Sequence, residues 1–99
     1  MIARVWRGRV RAADVDAYRA YIADTGLNDY RNTPGNCGAY IFTRLDGETA
    51  HVVTLSFWDA MESVRAFAGA DVTRARYYPE DERYLLDFPE RVEHFDVVQ

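Results

Sequence analysis

TLSFWDAMESVRAFAG, residues 54–69, reads as a buried strand running directly into an amphipathic helix. The strand ends on Trp58. Asp59 is placed to cap the helix, and Glu62, three residues on, completes an acidic variant of the capping box. Ala60, Met61, Val64, Phe67 and Ala68 fall on one helical stripe. Gly69 supplies the left-handed residue expected after the last turn. This corner sets a large aromatic at the mouth of a helix and makes one wall of a cavity.

Working back from the corner, residues 37–45 and 48–57 read as a hairpin about Asp46-Gly47. With those two as the turn, Ile41 faces Val52, Ala39 faces Thr54 and Tyr40 faces Val53. A three-residue loop would exchange the two faces. Residues 2–10 make a further strand, with Ile2, Trp6 and Val10 on one parity and Ala3 and Val5 on the other. Gly8 marks a bulge or a close backbone approach. Residues 11–26 read as a helix with Val15, Tyr18, Tyr21 and Ile22 along its apolar stripe, ended by Gly26. Residues 27–36 carry turn chemistry throughout and read as a loop of about ten residues, long enough for a cavity rim.

After Gly69, Pro79 suits a first helical position, with Glu80, Asp81 and Glu82 in the first turn. Phe88-Pro89 breaks that segment. Residues 91–98 read as the last strand, with Val92, His94, Asp96 and Val98 on one face. The order strand, helix, strand, strand, helix, strand predicts an α+β fold, the ferredoxin-like βαββαβ with an antiparallel sheet, in one domain over residues 1–99. Its helices cover one face only. The strands carry apolar residues on both, so a second copy packed sheet to sheet is expected: a homodimer.

Composition narrows the function classes. A net charge of −4 argues against nucleic acid. All twelve basic residues are Arg, so Lys Schiff-base chemistry and a Walker loop are excluded. Cys37 is the single cysteine and closes no internal disulfide. The opening MIARVWRGRV holds arginines within its apolar run, with neither a signal-peptide core nor a membrane-length span. A soluble cytoplasmic protein is the expectation. Two His and one Cys, with no HExxH or CxxC, suggest no metal site.

IARVWRG at 2–8, SFWDAMESVRAFAG at 56–69, RYYPEDERYLL at 76–86 and RVEHFDV at 91–97 together resemble the dimeric α/β-barrel superfamily, in its antibiotic biosynthesis monooxygenase-like branch. The resemblance implies a homodimer with a cavity between helices and sheet in each subunit. Characterised relatives oxidise polycyclic phenols to quinones with molecular oxygen, without flavin, haem or metal. Others bind and degrade haem through an Asn on the first strand, a Trp and a helix His. Trp58 matches that Trp, but no Asn stands on strand one and neither helix carries a His.

The expected activity is therefore a monooxygenation of an aromatic phenol or quinol that needs no cofactor. A non-catalytic ligand-binding or accessory dimer is the competing reading, and haem binding the third. His94 is the acid–base candidate, since an imidazole pKa of about 6.5 suits a phenolic proton; its plainer alternative is a hydrogen-bonded structural histidine. Tyr77 is the second catalytic candidate. Tyr77 and Tyr78 offer hydroxyls to a substrate oxygen and rings to a wall. Trp58, Trp6 and Phe67 are expected to line an aromatic slot, and Arg7 to meet a substrate anion. Glu80, Asp81 and Glu82 read as helix-start charges rather than a carboxylate pair.

Overall fold

A computed structural model describes residues 1–98. Strand β1 (Ile2–Arg11) is interior to the sheet, pairing antiparallel with β3 (Thr49–Trp58) on one side and β4 (Glu93–Asp96) on the other. Strand β2 (Asn36–Asp46) pairs with β3, which gives the order β2-β3-β1-β4. This is the expected ferredoxin-like topology. Between β1 and β2 come a 3-10 turn (Ala12–Asp14), α1 (Val15–Asp24) and α2 (Gly26–Asn32); between β3 and β4 come α3 (Met61–Ala68) and the short α4 (Asp81–Tyr84). Among the described residues no helix is long and apolar enough to cross a membrane.

Alternation decides which face is core. Trp6 and Val10 of β1 and Ala50, Val52, Thr54, Ser56 and Trp58 of β3 are all buried beneath the helices. Tyr18 and Ile22 of α1 and Val64 and Phe67 of α3 pack onto them. Gly8 belongs to this face because the Trp6 indole occupies the space where a Cβ would stand. The register runs through Gly8 without interruption, so it marks a close approach and not a bulge.

Four local expectations differ from the structure. Residues 27–36 are not all loop. Leu27 and Tyr30, three apart on one helix face, are both buried, and that burial holds α2 against the turn-forming Asn and Asp around it. The preceding helix ends at Asp24 with Thr25 at its cap, ahead of Gly26. The hairpin turn is Gly47-Glu48 rather than Asp46-Gly47. Asp46 pairs with Thr49, Ile41 with Thr54 and Ala39 with Ser56. Gly47 takes φ +62° and Glu48 no positive φ, the pattern of a type II′ turn, which needs glycine first. The shift is by two residues, so each side chain keeps its predicted face. Lastly, α3 begins at Met61 without a side-chain cap. The Asp59 carboxylate instead accepts the Ser63 hydroxyl, and the Asp59 amide donates to the Gly35 carbonyl. Gly69 does end the helix at φ +90°.

Candidate functional site

Residues 70–92 form a strap along β1, contacting Arg4, Arg9 and Val10. Ala75 and Val92 amides donate to the Glu90 and Thr73 carbonyls, and Leu86 is tied to Arg9. Between strap, helices and sheet lies a cavity of about 40 Å³. That holds about three waters or the head of a small ligand. Its floor is Arg4, Trp6 and Thr54 on the sheet with Val92 beside them. Tyr18, Ile22, Thr25, Gly26 and Tyr30 come from α1 and α2, and Phe67 from α3. The strap adds Arg76, Tyr77, Tyr78 and Asp81.

The walls are aromatic and largely locked. Trp6 Nε1 donates to the Tyr77 hydroxyl at 3.2 Å, and that hydroxyl donates to the Pro89 carbonyl. The two rings meet edge to face at 6.3 Å. The Tyr78 hydroxyl donates to Asp29, and burial together with that bond raises its pKa. Burial also raises that of Tyr77, which the Trp6 N–H partly opposes. Both hydroxyls thus have protein partners, and the rings form the wall. Tyr30 packs tilted against Phe67 at 4.5 Å, and its hydroxyl has a long 3.4 Å contact with Thr54 beside Arg4.

Two charged groups sit inside this shell. Asp81 is buried, with Oδ1 accepting the Tyr18 hydroxyl at 2.9 Å and Oδ2 accepting the Tyr78 amide at 2.7 Å. Burial pushes its carboxyl above the ordinary range, and those two donors only partly oppose the shift. The Tyr18 hydroxyl is raised in turn by burial and by Asp81. Arg4 is 1% exposed. Its Nη1 donates to the Val72 carbonyl at 2.6 Å and lies 3.1 Å from His94 Nε2, while Nη2 donates to the Arg74 carbonyl. Burial lowers its pKa, and the nearby Tyr30 works against that.

The expected site residues separate accordingly. Trp6, Phe67, Tyr77 and Tyr78 converge on the cavity. Trp58 does not line it; fully buried, it backs Tyr30 and Phe67 from behind and donates to the Ser56 hydroxyl. His94 lies behind Arg4 and outside the lining, its Nε2 facing a guanidinium that can only donate. That contact fixes His94 as a neutral acceptor, and burial, then Arg4, holds its pKa below the usual value. Arg7 is on the opposite face of the sheet, exposed and paired with Glu93 at 3.2 Å. The sequence reading missed Arg4, Tyr18, Tyr30 and Asp81. Tyr18 was legible as core. Asp81 was hidden by its neighbours, since three acidic residues after a proline look like a solvated helix start.

Among the described residues no group of His, Cys, Asp and Glu is arranged to hold a metal ion. No protein-family model and no curated protein matches the sequence. Solved structures do share its architecture. Rv0793 from Mycobacterium tuberculosis matches with a TM-score of 0.66 and 16% identity over 99% of this chain and 95% of its own. A MhuD variant carrying two manganese protoporphyrin IX molecules per active site matches at 0.65 and 18%, over 100% and 96%. An antibiotic biosynthesis monooxygenase matches at 0.59 and 14%, over the whole of both chains. The fold is that of the antibiotic biosynthesis monooxygenase. At these identities the likeness is one of architecture. In this fold the cavity occupies the space between helices and sheet.

Proposed function

We propose that this chain is a monooxygenase that oxidises a small phenol or quinol with molecular oxygen and no added cofactor. The observation that carries the reading is the placement of Asp81, a buried carboxylate of raised pKa on the wall of a cavity otherwise lined by aromatic rings. A carboxylate whose pKa burial raises is a stronger base than an exposed one, which favours removal of a weakly acidic substrate proton. Asp81 takes the place the sequence reading gave to His94, whose Nε2 is engaged by Arg4. Trp6, Phe67, Tyr77 and Tyr78 hold the substrate ring.

For an anthrone-type substrate, Asp81 removes a proton and the resulting anion gives one electron to oxygen. The radical pair joins as a peroxide. Loss of water then leaves a quinone, one oxygen atom bound to carbon and the other departing with both hydrogens of the original CH₂. The substrate supplies every electron. The protein contributes the base, orientation and a water-poor slot. Arg76 and Tyr78 stand at the half-open mouth and must swing aside for a polycyclic ring, because the enclosed space is small.

The test is oxygen uptake with anthrone-type and single-ring hydroquinone substrates. Asp81→Asn is expected to lower turnover by about 10²–10⁴-fold, while His94→Ala changes it only a few-fold. Equal turnover by wild type and Asp81→Asn removes the assignment. Ligand binding without oxygen uptake supports the non-catalytic accessory reading instead. The same proposal includes a homodimer through the uncovered sheet face, where Tyr40, Phe42 and Phe95 are 54%, 49% and 50% exposed.

A further inference from the structure

The cavity floor holds a positive charge with no carboxylate in contact with it; the Asp81 carboxylate of the same lining is engaged by Tyr18 and Tyr78 instead. Eight other arginines lie within 4.0 Å of an acidic side chain, all of them at the surface. Arg4, the one buried arginine among the described residues, has none there, though the chain is acidic overall. Its partners are two neutral carbonyls and one neutral imidazole, with the neutral Tyr30 hydroxyl close by. A buried ion without a counter-ion is among the costliest arrangements in a protein interior.

The donor inventory makes the vacancy specific. A guanidinium has five N–H groups. Val72 and His94 engage those of Nη1, and Arg74 takes one of Nη2. One Nη2 N–H remains, together with Nε, which is buried without a partner among the described residues. Nε and Nη2 form the side-on fork of an arginine, which matches the two oxygens of a carboxylate. The Tyr30 hydroxyl, beside Arg4 and otherwise in only a long contact with Thr54, belongs to the same cavity lining and is a neutral neighbour of the guanidinium.

The geometry points to a carboxylate-binding subsite at Arg4, so that the ligand of this cavity is a small organic acid, its carboxylate on the Nε–Nη2 edge and its apolar part against Phe67 and Trp6. The subsite stands whether or not the ligand is oxidised. An acid is favoured over its amide because the amide offers one acceptor and no charge to a fork with two donors.

Two acid–amide pairs test it: acetate with acetamide, which fit the enclosed volume, and benzoate with benzamide, which also reach the mouth. Binding is read from tryptophan fluorescence and from the thermal midpoint of the whole chain. At least one acid is expected to bind ten-fold or more tightly than its amide. Arg4→Met should abolish that preference, and Arg7→Gln, which removes a charge from the opposite face, should keep it. Equal binding of acid and amide in both pairs, or no binding by either acid at 50 mM ([L] far above any useful Kd, on the order of millimolar), overturns the subsite. So does an acid preference that survives Arg4→Met but is lost in Arg76→Gln, which would place the site at the mouth. If Arg4→Met fails to fold, the wild-type acid–amide comparison decides alone. Because the readout is binding, failure here leaves the oxygenase test untouched, and absent oxygen uptake leaves this one untouched.

Discussion

A histidine and an arginine 3.1 Å apart on neighbouring strands settle each other's chemistry. His94 Nε2 can accept from Arg4 only while unprotonated, and a proton there would set two cations side by side. The folded state therefore resists protonation, which is the direction burial and Arg4 both impose. In the unfolded chain the same ring titrates near 6.5. As pH falls through that value the unfolded state takes up a proton that the folded state refuses, so stability drops, and the loss is complete below the folded pKa. In His94→Gln an amide oxygen can accept the same N–H without titrating. Denaturation midpoints between pH 7.5 and 5 should fall more steeply for wild type than for this variant. The difference between the two curves isolates His94 from the many carboxylates, and parallel curves would show that its ring titrates alike folded and unfolded.

At the scale of elements, the register of the β2–β3 hairpin rests on one backbone torsion. Gly47 at φ +62° has nothing within 4 Å of where a Cβ would lie. Gly47→Ala therefore meets no steric neighbour, and its cost is backbone strain alone, about 1–3 kcal/mol. Urea denaturation should show the midpoint lowered with the slope unchanged. A loss below about 0.3 kcal/mol, within the ordinary scatter of surface substitutions, would mean the turn tolerates a side chain. The same hairpin shows what was legible beforehand. Alternation grouped the side chains that share a face, because that depends on parity. It could not fix the pairing partners, because those depend on which of two adjacent residues takes the positive φ. The 54–69 corner was legible for the same reason, as a period of two passing into 3.6. The start of its helix was not, since the Asp59 carboxylate had a competing donor in Ser63. Five of the fourteen lining residues, Trp6, Tyr18, Phe67, Tyr77 and Tyr78, followed from aromatic residues expected on the core or slot. Arg4 and Asp81 did not, because charge on a strand or after a proline reads as solvated until a second element closes over it.

For the whole molecule the question is what meets the uncovered face of the sheet. Ala3, Val5, Tyr40, Phe42, Val53, Leu55, Phe57 and Phe95 cluster toward one end, while Arg7, Arg9 and Arg44 with His51 occupy the other. The face is thus apolar over one half rather than throughout, as alternation alone had suggested. Four strands at about 4.8 Å spacing and ten residues at about 3.3 Å give roughly 600 Å² in projection, against about 800 Å² per partner in a standard interface. The apolar half alone is too small and even the full face falls short by that measure, so a standard-size homodimer interface needs the charged end and the segments around it as well, with Arg7–Glu93 at its rim. Wild type should then sediment at twice 11.4 kDa at tens of micromolar, and Phe42→Glu, which sets a carboxylate in the middle of the face where the apolar half meets Arg7, should sediment at the single-chain mass. A wild type of single-chain mass under those conditions sinks the assembly. The cavity lies on the helix-covered side of the sheet, away from the face proposed to meet the second copy, so the Phe42→Glu monomer should keep the acid preference at Arg4. Its loss on dissociation would show instead that the sheet needs its partner to hold β1, and with it the buried guanidinium, in place.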